Sequence, residues 1–405
     1  MYNNNYKEKY HKYKDKYIFT KFINNQIGGN FTYDISIDIY YDTLLDSIRS
    51  KKKIPIIFSI GKYNSSKTLV EIKTYRNIKY LQSGAYAHAF KIQDIITNNF
   101  YVLKLGVNKP QTTLNEAKII KNLFDNKDIR ECCKYNIESF GINKIKKKFI
   151  SKTEISDIEV SFMIIQYFGE INMEMFVQQI FSSDHDEKDK IILIPLLLKK
   201  IIICLSDYNK HNYHNDIKLN NVVINLIEPN ARIIDFGLST PLDVVHQNYG
   251  YVQIPPEYII KKFIPEYEVY PRDAKIDNFG LFWLIINFFT NRKLQKKYII
   301  TNYDWSNISF KPMLYFYLSI NNIDKVSLLR IIDINKDIKK DIFDDYEYDK
   351  DLKIKFLEDC YELINKNMKE ILFKNNKEKI LLFFDILLRL IKFNISDRIN
   401  IIEYM

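Results

Sequence analysis

A chain of 405 residues, 46% hydrophobic and 27% charged, has room for two to three domains with an ample core, which excludes a disordered polymer. The net charge of +10 admits nucleic acid, a membrane surface or acidic substrates as partners. Its basic runs, Lys51-Lys52-Lys53 and Lys146-Lys147-Lys148, are short, however, and acidic residues intersperse the rest, so a solvated surface is expected and no nucleic-acid patch.

Residues 1–17 are polar and charged, which predicts no signal peptide. Up to residue 76 the chain reads as an Asn/Tyr/Lys-rich extension with a few apolar patches, such as 54–60, and no legible chemistry. From 77 to 106 the pattern predicts short strands over 78–81, 90–92 and 100–105, the last preceded by the turn residues Asn98-Asn99. Leu114, Ala117, Ile120, Leu123 and Phe124 recur at helical spacing and predict a helix over 114–124. An apolar strand over 162–165 runs into Gln166-Tyr167-Phe168-Gly169. Helices are then predicted over 173–180, 191–208 and 281–290. Lys199-Lys200 interrupts the most apolar run, 191–204, which is too short to span a bilayer. Residues 291–375 are charged and Asn/Asp/Lys-rich and read as an enlarged insertion among the later helices. Strands early and helices late predict an α+β fold with a small sheet-rich part and a larger helical part.

Cys132, Cys133, Cys204 and Cys360 show no C-x-x-C spacing and have no histidines nearby, so free thiols in a reducing, cytoplasmic compartment are expected. The abundance of Ile, Asn, Lys and Tyr beside only 10 Gly and 10 Pro points to an AT-rich coding genome, such as that of a large DNA virus or an AT-rich protist.

Chemistry concentrates in two segments, Tyr213-His214-Asn215-Asp216-Ile217-Lys218-Leu219-Asn220-Asn221 and Ile234-Asp235-Phe236-Gly237. Together they offer one carboxylate, one lysine and an Asn/Asp pair of oxygen ligands. Phosphoryl transfer needs a positioned nucleophile and neutralised phosphate charge. Asp216 suits the proton of an incoming hydroxyl, Lys218 the moving phosphoryl group, and Asn221 with Asp235 a Mg²⁺ shared with nucleotide phosphates.

The order and spacing resemble those of protein kinases, whose catalytic loop reads H-R-D-L-K-x-x-N; here Asn215 replaces the arginine. The resemblance implies a bilobal protein-kinase-like fold over 77–405, with a β-rich lobe over 77–168, a helical lobe over 169–405 and the 1–76 extension outside it. It implies ATP and Mg²⁺ as cofactors, a protein substrate bearing Ser/Thr hydroxyls, and Asp216 as catalytic base. Leu81, Gly84 and Ala89 fall in the place of the glycine-rich hairpin over the nucleotide, with Gln82 and Ala87 where its outer glycines would be. Lys104, within Tyr101-Val102-Leu103-Lys104, would reach the α- and β-phosphates. An inward lysine needs a partner, and Glu116 on the next helix is the candidate. Gln166 and Phe168 would border the adenine, Val223 would floor its pocket, and Asp235 would hold the metal. Pro255-Pro256-Glu257 resembles the end of an activation segment, whose glutamate pairs with an arginine near the C-terminus, here Arg398. Asp277 would brace the catalytic loop; the plainer alternative is an ordinary helix N-cap.

Three further readings compete. A small-molecule phosphotransferase shares the H-x-D loop but usually lacks the Glu257 and Arg398 positions. The degenerate hairpin also admits an inactive pseudokinase, and the flanking regions a binding scaffold. Asn215 removes the basic group that pairs with a phosphorylated activation loop in many kinases, so activity without such phosphorylation is expected.

Overall fold

The computed structural model describes residues 31–36, 57–64, 69–83, 87–106, 110–126, 134–148, 155–169, 171–182, 187–227, 229–242, 254–265, 267, 277–299, 310–332, 343–367, 377–393 and 397–399. The architecture is α+β, in two compact units that divide between Tyr167 and Phe168 among the described residues.

The first unit is built on one antiparallel seven-stranded sheet. Its strands are β1 (Phe31–Ser36), β2 (Ile57–Asn64), β3 (Leu69–Ser83), β4 (Ala87–Asp94), β5 (Phe100–Gly106), β6 (Ile137–Lys148) and β7 (Ile155–Gln166), ordered β1-β2-β3-β4-β5-β7-β6. In β5 the side chains of Tyr101, Leu103 and Leu105 are buried while Val102 and Lys104 are half-buried, the period of two that a pleated strand imposes. Helix α1 (Pro110–Asp125) packs on β5, β6 and β7 through Leu114, Ala117, Ile120 and Leu123. Phe124, one step further round the helix, is exposed. The sheet reaches further toward the N-terminus than the expected boundary at 76. Strand β3 runs straight through it, and β1 and β2 pair in series beyond. Edge strands with polar residues on alternate positions leave only a weak apolar signal, which is why this stretch reads as an extension.

The second unit is mainly helical. Its strands are β8 (Ile171–Asn172), β9 (Asn212–Tyr213), β10 (Val222–Asn225), β11 (Asn230–Ile233) and β12 (Thr240–Pro241). They form a three-stranded sheet, β11-β10-β8, and a two-stranded ribbon, β12-β9. The helices in order are α2 (Met173–Ser182), α3 (Glu187–Tyr208), α4 (Pro256–Phe263), α5 (Asn278–Thr290), α6 (Lys293–Tyr298), α7 (Phe310–Ile320), α8 (Lys325–Ile332), α9 (Leu352–Asn367) and α10 (Lys377–Leu388). Every residue of α5 is buried, the signature of a helix surrounded on all sides. Among the described residues, no helix is long and apolar enough to cross a membrane.

The neighbours of α5 come partly from the stretch read as an insertion. Within 291–375, the described helices α7 and α9 supply core to this unit. Trp283 of α5 donates its indole N–H to Tyr317 Oη of α7 at 2.8 Å, and its ring lies among Phe282, Phe316 and Phe356. Phe356 of α9 and Tyr317 are fully buried. Helix α9 is amphipathic and carries many charges beside the buried Phe356, so composition alone hides it, whereas α7 carries one charge, Lys311. The cysteines correct an expectation: Cys204 is disulfide-bonded, while Cys360 is a free, buried thiol.

Candidate functional site

Two loops of the second unit are held side by side by backbone pairing on both flanks. On one flank Val222 pairs with Ile233, and Ile234 N donates to Asn221 O at 2.8 Å. On the other, Tyr213 pairs with Thr240. Between the flanks lie residues 214–221 and 234–239, which places Asp216, Lys218 and Asn221 in one loop and Asp235 in the other. His214, buried at the centre, bridges them: its Nδ1 accepts from Asp216 N at 3.3 Å, and its Nε2 lies 3.2 Å from Ile234 O. Its ring sits against Tyr208 and Phe236.

Asp216 is buried, and its two carboxylate oxygens differ. Oδ2 accepts from Lys218 Nζ at 2.6 Å and from Asn221 Nδ2 at 2.9 Å. Oδ1 is buried without a hydrogen-bond partner. Burial pushes the Asp216 carboxyl above the usual carboxylate range; Lys218 opposes that rise, and the nearby Asp235 carboxylate adds to it. Because an unpaired buried oxygen is costly, Oδ1 is the atom that an incoming donor would satisfy.

The loop is braced from below. Asp277 Oδ2 accepts from His214 N at 2.7 Å and Oδ1 from Asn215 N at 2.8 Å. Asp277 makes no side-chain cap bond to its own helix, so the brace wins over the N-cap reading. Burial pushes its carboxyl up to about 7, against the opposing pull of the two amide bonds. Gly280, one turn into α5, is where the helix meets the loop. A Cβ built there would lie 2.7 Å from Ile217 Cβ and 2.9 Å from Ile217 O, a contact no real side chain makes. Asn215, left-handed at φ 64°, is also built in: its Nδ2 donates to Leu238 O at 2.9 Å and to Thr240 Oγ1 at 3.0 Å.

A second constellation lies in the first unit. Lys104 Nζ meets Glu116 Oε2 at 2.6 Å, linking β5 to α1. Ala89 stands directly opposite Lys104 across the β4–β5 ladder, and Leu81 is on β3. Gln166 ends β7, where its backbone N–H donates to Asn136 O, and its side chain is exposed. Gly84 lies outside the described residues. Phe168 and Val223 belong to the second unit. Phe168 carries the Arg232 guanidinium 4.4 Å above its ring, and Val223 pairs with Asn172 and Arg232 in the three-stranded sheet. The expected residues therefore form two clusters, one in each unit.

Glu257 and Arg398 meet as a bidentate, buried pair with N–O distances of 2.9 and 2.7 Å, across 141 residues of chain. Arg398 also donates to Lys392 O and Phe393 O, and its guanidinium lies 4.5 Å from the Phe279 ring centre.

The donor set suits a divalent ion that is shared with a ligand. Asn221 commits its amide N–H groups to Asp216 O and Oδ2, which leaves its Oδ1 for other partners, and Asp235 supplies a carboxylate. Among the described residues, no three His, Cys, Asp or Glu side chains gather as an all-protein cage. Mg²⁺ ordinarily takes one or two protein oxygens and completes its shell with phosphates and water, so the residues fit it.

Sequence reasoning passed over Arg292, Glu174 and Asn220, whose side chains join the end of α5, α2 and the 214–221 loop. Nothing in their spacing signals that contact. No family model matches the chain, and no curated protein matches it.

Proposed function

We propose that this protein is an ATP-dependent protein kinase with a bilobal kinase-like fold, transferring the γ-phosphoryl group of Mg-ATP to Ser/Thr hydroxyls of a protein substrate. The observation that carries the reading is Asp216: one oxygen is held by Lys218 and Asn221, and the other is buried and unpaired beside the Asp235 loop. That arrangement suits a general base, which must be fixed in direction and still hold an acceptor oxygen for the substrate proton. Lys218, at 2.6 Å, tempers the base and carries positive charge toward the transferring group. Asn221 and Asp235 would hold Mg²⁺, which when bound neutralises charge on the phosphates. Lys104, directed by Glu116, would pair with the nucleotide phosphates. The Glu257–Arg398 pair favours a protein acceptor, because small-molecule phosphotransferases of similar loop usually lack it.

The test is incubation of the full chain with γ-labelled ATP, Mg²⁺ and a mixture of protein acceptors. Label is expected on serine and threonine, and Lys104→Met should reduce it by weakening nucleotide binding. Tight Mg-ATP binding with no transfer to any acceptor would replace the enzyme with a nucleotide-binding scaffold.

Asn215 bears on control. Its amide already joins the catalytic loop to Leu238 and Thr240, so the two loops are coupled with no phosphate required. Phosphatase-treated and untreated protein should therefore transfer label at equal rates. Loss of turnover on removing a phosphate from residues 238–254 would sink this expectation.

A further inference from the structure

Helix α5 ends in a reversal that its sequence does not favour. Asn291 at φ 48° and Arg292 at φ 61° are consecutive left-handed residues, and neither is glycine. Asparagine tolerates this region because its short side chain bonds locally, whereas arginine has no such compensation. The strained residue is also the one whose side chain reaches the site. One terminal nitrogen of Arg292 meets Glu174 Oε1 at 2.7 Å, and the other donates to Asn220 Oδ1 at 2.7 Å. Glu174 stands in the first turn of α2. Asn220 is the middle residue of the short turn Leu219–Asn221, directly before the asparagine whose amide grips Asp216. Backbone strain kept at a residue with two charge-assisted bonds, one of them to the 214–221 loop, is a sign of pre-organisation.

We infer that Arg292 is a positioning residue for the catalytic loop. By pinning Asn220 between α2 and α5, it sets the direction in which Asn221 offers its amide to Asp216 and its oxygen to a cation. Lysine is no substitute, since a single ammonium lacks the planar fork that spans two separate oxygens. The kinetic consequence rests on the phosphotransfer reading; the effect on the loop rests on the contacts alone.

The decisive variant is Arg292→Gly, which relieves the left-handed backbone while deleting the fork. A residue that merely reverses the chain would become more stable and change nothing else. A positioning residue would loosen the loop while the unfolding midpoint holds or rises. Hydrogen exchange of the full chain, read on peptides covering 218–223 without ligand, should speed up roughly tenfold in Arg292→Gly, and similarly in Arg292→Lys and Asn220→Ala. In the labelled-ATP assay kcat should fall by about 10–100-fold, as for other residues that support a metal ligand, with the acceptor KM unchanged. Adding Asn220→Ala to Arg292→Gly should cost nothing further, because both delete the same Arg292–Asn220 bond. Unchanged exchange at 218–223 in all three single variants overturns the inference. A wild-type chain that transfers no label overturns the phosphotransfer reading instead, and the exchange data still decide the role of Arg292.

Discussion

Asp216→Asn is expected to lower phosphoryl transfer by about 10²–10⁴-fold, the range for removing a positioned general base, while nucleotide affinity stays at the wild-type level. The substitution is close to isosteric and keeps an oxygen for Lys218, so a loss of rate would report on chemistry and not on folding. The pH profile sharpens the test. Asp216 must be ionised to accept a proton, and burial raises its carboxyl above the ordinary range. The acid limb of kcat/KM should therefore lie above the pKa of a free aspartate, with rate lost as pH falls through it. Stability should run the other way. A carboxyl that binds its proton more tightly when folded contributes stability fully below its unfolded pKa, and that contribution is lost as pH rises through the folded value. Asp277, raised to about 7 by burial, has the same sign, so its contribution fades as pH climbs from about 4 through about 7. Activity and stability should thus oppose each other on the acid side. Equal labelling by wild type and Asp216→Asn would remove Asp216 from the mechanism.

Arg398→Met is expected to destabilise the fold by about 3–5 kcal/mol, the cost of leaving a buried partner charge uncompensated. Glu257 is nearly inaccessible, and both its oxygens are held by the one guanidinium. Arg398→Lys should recover little, since an ammonium cannot make the parallel two-bond contact or satisfy Lys392 O and Phe393 O at once. The double variant Glu257→Leu/Arg398→Met removes both charges together, so it should regain part of the loss. It should not regain all of it, because the two backbone carbonyls still lose their donor. Chemical denaturation with a constant slope measures each change. A shift under about 1 kcal/mol in Arg398→Met would mean that water reaches Glu257 and the pair is not structural.

The sequence made legible the parts whose physics is local or whose order along the chain is distinctive. The apolar run after the turn residues Asn98-Asn99 located β5, and apolar residues at helical spacing located α1. Lys104 was expected to pair with Glu116 because a half-buried charge demands a counter-charge, and Glu257 with Arg398 because the resemblance to protein kinases implied it; both pairs form. The His214–Asn221 segment and Asp235 stood out by residue type, and the antiparallel pairing of β10 with β11 sets them side by side. Other features were hidden for an equally physical reason. Strand β1 alternates apolar and polar residues, and the apolar patch at 54–60 marked the start of β2 without its pairing. Residues 352–367 looked like charged insertion, because a helix packed on a central one needs only a narrow apolar stripe, whereas 310–320, with one charge, was absorbed into that reading by the charged, Asn-rich residues around it.

What the sequence determined by itself was the α+β character, the position of several helices and the identity of the side chains proposed to do phosphoryl chemistry. What only the tertiary structure decided was how those side chains are held. Asp277 turned out to brace the loop and not cap its own helix, Asn215 to lock two loops through a neutral amide, Gly280 to admit Ile217, and Arg292 to fork between Glu174 and Asn220. Each of these depends on distances between segments tens of residues apart. A sequence states which donors and acceptors exist; only the packed chain chooses which of them meet.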